Sequence, residues 1–175
     1  MARSNPESVN PPPRLRRAYY DCRYGQLHLH NAIPSGGGFD ELTSVICLPG
    51  AGESGRVFTP ALHALGYLRS VYALDLPGTG ETDPAPGVDA VDAAVHTVQD
   101  FVDSMRIRSF DVLARGASDA AALRLLEQRG NAVRRVVLLA PASATRGGPK
   151  VIVVAAADAA AANLPERLVT LLAGT

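Results

Sequence analysis

The sequence predicts an α/β domain: a mainly parallel, doubly wound sheet covered by helices, with an antiparallel hairpin at one edge. Three observations point to it. From Val45 onward, short apolar runs alternate with segments of helical period, the mark of successive βαβ units. The runs, such as Val45-Ile46-Cys47-Leu48, are apolar on both faces, as strands covered from both sides must be. Their ends are punctuated by Pro49-Gly50, Asp75-Leu76-Pro77-Gly78 and Arg115-Gly116. In such a sheet a ligand sits at the carboxyl ends of the strands, where these turns fall.

Each element has its own signal. In residues 18–31, Tyr20 and Cys22 alternate with Asp21 and Arg23, and Leu27 and Leu29 with His28 and His30. The break at Tyr24-Gly25-Gln26 makes this a hairpin. Ser35-Gly36-Gly37-Gly38 is a flexible link to a strand at 44–48. Leu62, Leu65 and Leu68 mark a helix over 59–68, followed by a buried strand at 70–74. Helices are then expected at 89–105, 118–128 and 165–172, and strands at 110–114, 133–140 and 150–154.

With 175 residues, the chain holds one domain, shorter than the ~250 residues of many single-domain α/β enzymes. Lys plus Arg and Asp plus Glu both total 17, so no net field draws nucleic acid or an anionic membrane. Residues 1–17, with Pro11, Pro12 and Pro13 and the Arg14, Arg16, Arg17 cluster, read as a disordered tail, leaving 18–175 as the folded domain. The leader has no apolar run for a signal peptide, and no stretch approaches ~18 unbroken apolar residues. A cytoplasmic protein is expected. Cys22 and Cys47 fall in strand segments and read as buried thiols, with no metal or disulfide spacing.

Glycine-rich motifs offer competing chemistry. Gly50-Ala51-Gly52-Glu53-Ser54-Gly55 fits G-x-G-x-x-G, and Asp75 lies 20 residues past Gly55 at the end of the next strand. In a dinucleotide site the glycines admit a pyrophosphate and the carboxylate holds the ribose. Here, however, a hairpin precedes the motif, whereas the fingerprint normally rides on a domain's first strand. Extended to Arg56-Val57, the stretch is similar to a G-protein phosphate loop with its Lys and Ser/Thr replaced, and Val57 cannot ligate Mg²⁺.

A third pattern covers about 150 residues in order. Arg23-Tyr24-Gly25-Gln26-Leu27-His28 resembles the opening hairpin of the α/β-hydrolase family. Ile46-Cys47-Leu48-Pro49-Gly50 stands where that family has a strand and His-Gly. Leu74-Asp75-Leu76-Pro77-Gly78-Thr79-Gly80-Glu81-Thr82-Asp83 resembles its D-x-P-G-x-G-x-S-D turn, and residues 110–125 its strand, nucleophile elbow and helix. The resemblance implies an α/β-hydrolase-like core.

It also implies where the chemistry would lie. In the family, G-x-S-x-G exposes a Ser on a strained turn, beside a His base and with the next N–H in the oxyanion hole. Ungapped, Ala114-Arg115-Gly116-Ala117-Ser118 falls on that motif, so Gly116 occupies the nucleophile position. A two-residue slip makes Ser118 the nucleophile but misaligns the following helix. The family's His lies beyond the sheet's last strand, and the sequence ends at Thr175 after the helix that precedes it; His28, His30, His63 and His96 read instead as partly exposed or packing residues. Asp158 falls one residue early for the acid, and the lid is reduced to about 145–149. The oxyanion donors need no side chain, so the N–H groups of Ala51 and Ala117 fit that role.

The resulting expectation is a domain without an intact triad and without cofactor or metal. It would bind a small ligand or protein partner in a cleft lined by Pro49, Gly50, Asp75 and Arg115. The alternatives are an esterase using Ser118 and a dinucleotide-binding protein using Gly50 to Gly55. Val151-Ile152-Val153-Val154 has neither charge nor proline within the run, with Pro149 and Lys150 before it, so an edge position there predicts a homodimer through this strand or the adjacent helix.

Overall fold

The computed structural model describes residues 11–36 and 42–173. Strand β1 (Arg14–Cys22) pairs antiparallel with β2 (Gly25–Ile33) across a two-residue turn. Gly25 is required there: its φ is 120°, and a Cβ would lie 2.3 Å from an oxygen of Asp83. β2 pairs antiparallel with β4 (Arg69–Leu74), and every later pairing is parallel. β3 (Leu42–Leu48) lies between β4 and β5 (Phe110–Arg115), and β6 (Val133–Leu139) and β7 (Val151–Val154) follow. The seven-strand order is β1-β2-β4-β3-β5-β6-β7, the mixed, mainly parallel sheet the sequence predicts.

Alternation along each central strand divides the core into two layers. Ile46, Leu48, Val112 and Leu138 face α2 (Ala90–Ser104) and α3 (Asp119–Gln128), packing with Val98, Phe101 and Leu125. Val45, Cys47, Leu113 and Val137 face α1 (Thr59–Leu65) and α5 (Leu164–Ala173), packing with Leu62, Leu65, Leu168 and Leu172. All eight strand residues are fully buried, which is why these runs carry no polar alternation. Asp89 caps α2, its side chain accepting from the N–H groups of Val91 and Asp92.

At the amino ends of the strands, fully buried Asp111 is paired with Arg69 at 3.2 Å and Arg134 at 2.6 Å. Both guanidinium groups also donate to the Leu172 carbonyl. Two cations on the last turn of α5 oppose its partial negative charge and fasten that helix to the sheet.

Several expectations change. Arg14 to Arg17 belong to β1 and not to a tail, because Arg14 pairs with Ile33 and Arg17 with His30. The first ten residues, and positions 37–41 of the glycine-rich link, lie outside the described residues. The helix over 59–68 stops at Leu65, where Gly66 caps it and leaves Leu68 45% exposed. A short α4 (Ala156–Ala159) was not foreseen. Among the described residues, no helix is long and apolar enough to cross a membrane.

Candidate functional site

The connections leaving β3 and β5 run to opposite sides of the sheet, which opens a crevice at their carboxyl ends. Two turns form its floor. After β3, the Gly50 N–H donates to Glu53 Oε2 at 2.9 Å, and the Glu53 N–H returns to the Gly50 carbonyl at 3.0 Å. After β5, Gly116 takes a φ of 55°, the left-handed region where a side chain is strained and glycine is not. Arg115, half-exposed, reaches across to Glu53 at 3.2 Å and joins the turns.

The elbow is braced from beneath. Asp119, 3% exposed, accepts from the Ser143 N–H at 2.8 Å, the Ser143 hydroxyl at 2.6 Å and the Ala120 N–H at 2.7 Å. Burial alone would raise its carboxyl pKa, but these hydrogen bonds hold it below the ordinary value. The Ala142 N–H donates to the Gly116 carbonyl at 3.3 Å, so the segment after β6 closes on the elbow itself.

Two cavities of about 240 Å³ each adjoin the elbow, one reaching Ala117 and the other Arg115. One is lined by Gly50, Ala51, Leu76, Val91, Ala117 and Ala121. The other lies between α1 and α5, with Phe58, Arg115, Leu139, Leu164 and Leu168 in its walls. Ala51 and Ala117 thus meet at one mouth, and among the described residues neither N–H is paired with a backbone acceptor. A Cβ on Gly116 would find only the Gly50 Cα, at 3.9 Å, so the space a nucleophilic side chain would fill stands open.

The remaining sequence candidates are dispersed. Ser118 is 6% exposed and lines the first cavity, but its hydroxyl donates to the Pro49 carbonyl, which ties it to the turn after β3. Pro49 therefore contributes a carbonyl to the support of the floor. Asp158 lies on the exposed α4, paired with Arg167 at 3.1 Å. Asp75 does not line the cleft as expected. It is 1% exposed, and its carboxylate accepts from Gly55 N–H at 2.7 Å, Glu81 N–H at 3.0 Å and His28 Nδ1 at 2.8 Å.

That geometry overturns the dinucleotide alternative. The 20-residue spacing does report a real contact, but an internal one, with no oxygen of Asp75 turned outward for a ribose. Gly55 is small because a Cβ would lie 2.4 Å from the Ala73 carbonyl oxygen, a packing need and not a phosphate one. Of the two readings offered for it, His28 is the packing residue: it is 2% exposed. His96 Nδ1 is held by the Tyr24 hydroxyl at 2.6 Å, and His63 is exposed on α1. Burial pushes the Cys47 thiol pKa far up, so it is inert, while Cys22 is half-buried. The Asp119–Ser143 brace escaped the sequence because its partners are 24 residues apart with no motif between them.

The strand order, the elbow after β5 and the oxyanion-like pair define a class. The chain belongs to the alpha/beta hydrolase family, whose family model matches residues 45–174. No curated protein matches the sequence. Among solved structures it is similar to a carboxylesterase of Bacillus subtilis, at 21% identity and a TM-score of 0.66, covering 78% of this chain and 47% of that one. A serine hydrolase of Cycloclasticus zankles gives 19% identity and a TM-score of 0.66, covering 77% and 48%. An epoxide hydrolase from an endophytic Streptomyces gives 21% and 0.65, covering 77% and 39%. The chain therefore spans under half the length of these structures, and the likeness is one of fold.

Proposed function

We propose that this domain binds a small ligand carrying a carboxylate or similar oxyanion and a short apolar tail, and that it does not hydrolyse esters. The observation that carries the reading is Gly116. The residue at the elbow has no side chain to acylate, whatever groups surround it, while its positive φ keeps the turn in shape. The N–H groups of Ala51 and Ala117 need no side chain, so they remain available to an oxyanion. Leu76, Val91 and Ala121 offer the tail an apolar wall in a cavity of about 240 Å³, below the usual ~300 to 1,000 Å³ of drug-sized sites, which favours a ligand of few carbons. Ser118 offers no substitute nucleophile, since its hydroxyl is committed to the Pro49 carbonyl.

The test is a titration of ¹⁵N-labelled protein with butyrate and hexanoate, read at individual amides. Saturable shifts centred on Ala51 and Ala117 are expected. Shifts absent there at millimolar ligand, or spread evenly over the surface, would overturn the reading.

A further inference from the structure

Away from the crevice, where β1, β2 and the end of β4 lie side by side, three metal-competent side chains converge on one face of the sheet. The cross-strand register sets His28 beside the end of β4, where Asp75 follows Leu74, and places His30 two residues along on the same face. One ligand atom from each of His28, His30 and Asp75 lies within 4.8 Å of the other two. The imidazoles meet edge to face, with ring centroids 5.0 Å apart.

We infer that His28, through Nε2, and His30 bind one transition-metal dication of the zinc type, with Asp75 holding the His28 ring from behind. A second observation points to a ligand at the same place. His28 Nε2 is buried in a side chain 2% exposed and has no hydrogen-bond partner. Buried polar nitrogens are seldom left so, because desolvation without a partner costs free energy. The rest of the ring is prepared: Asp75 holds Nδ1 at 2.8 Å, and is itself fixed by the Gly55 and Glu81 N–H groups. A carboxylate that orients an imidazole in this way is the usual support of a metal-binding histidine.

The third member supplies freedom to adjust. The side chain of half-buried His30 makes no hydrogen bond among the described residues, so its ring can swing toward the others without breaking one. Zinc–nitrogen bonds of ~2.0–2.1 Å require ligand atoms somewhat closer than the present spacing, a shift within reach of a side-chain rotation. His30 also lines a cavity of about 210 Å³ with Leu15, Arg17, Thr59 and Leu62, which gives an ion and its remaining waters a path from solvent. Imidazole nitrogens select zinc, copper or nickel over calcium and magnesium, which prefer oxygen alone.

The experiment uses the whole chain, treated with a chelator and then titrated with zinc chloride by calorimetry at pH 7.5. A Cys22→Ser background removes the half-buried thiol as a competing ligand. Binding at one zinc per chain is expected, with a rise in Tm, and calcium or magnesium should give neither. His30→Ala, which removes no hydrogen bond, should fold as the parent does and weaken zinc at least tenfold, whereas His63→Ala should leave it unchanged. Long-range ¹H–¹⁵N spectra of the parent supply a reading without mutation: zinc should shift ring nitrogens of both His28 and His30. No binding to the parent, zinc affinity indifferent to His30→Ala, or unshifted His28 nitrogens would each overturn the site.

Discussion

Gly116 separates two properties that usually travel together in this fold, the shape of the elbow and its nucleophile. A φ of 55° costs an L-residue ~1–2 kcal/mol, which glycine avoids. Gly116→Ser should therefore lower unfolding free energy by about that amount in urea, and should form no adduct with a fluorophosphonate probe. His28 and His96 are already engaged, by Asp75 and Tyr24, and His30 and His63 line neither cavity beside the elbow, so no described histidine is poised to activate the new hydroxyl. A covalent adduct at the substituted position would show that a base is present. Asp119 makes a second prediction at this scale. Its pKa is held below its ordinary 3.8, so its contribution to stability is complete above that pH and is lost as pH falls through the lower folded value. Ser143→Ala should cost ~1 kcal/mol at pH 7, and that difference should shrink as the pH is taken below 3.8. A difference that grows in acid would contradict it. Gly116 was legible because an ungapped motif fell on it. Asp75 was read as a ligand group because spacing alone does not say whether a carboxylate faces out or in.

Among the elements, α5 is fastened at its last turn by long-range polar contacts. Asp111, fully buried, balances Arg69 and Arg134, and the same two arginines grip the Leu172 carbonyl. Asp111→Ala would strand the 3%-exposed Arg69 without its carboxylate, and a buried pair broken on one side typically costs ~3–5 kcal/mol. Denaturant unfolding should show that loss, with the fastest amide exchange in α5. Arg134→Ala, with Arg69 still in place, should cost clearly less. Near-equal stability of the Asp111→Ala variant and the parent would mean that solvent replaces the pair. Most elements were legible because strand runs and helical periods are local. The errors fell where tertiary partners decide: Arg14 to Arg17 look like a basic leader until Ile33 and His30 pair with them, and Leu68 keeps the helical period that Gly66 has already ended.

On the scale of the whole molecule, β7 pairs with β6 and, at Val151, bridges Gly148 of the preceding turn, and Val153 is 36% exposed. We propose a two-fold homodimer in which the β7 edge, or α5 beside it, meets its own copy, because an apolar run without charge or proline within it invites a strand partner. Light scattering at tens of micromolar should give twice the chain mass for the parent and half of that for Ile152→Lys. A monomeric parent would refute the dimer, and a dimer indifferent to Ile152→Lys would place the interface elsewhere. The proposed role keeps the hydrolase fold for binding and not for turnover. Hydrolysis of a short-chain nitrophenyl ester, by the parent and by Ser118→Ala in parallel, tests it most directly. Both proteins should release nitrophenol no faster than buffer, since losing a nucleophile removes several orders of magnitude of rate. Turnover by the parent that disappears in Ser118→Ala would contradict the claim and make Ser118 the nucleophile.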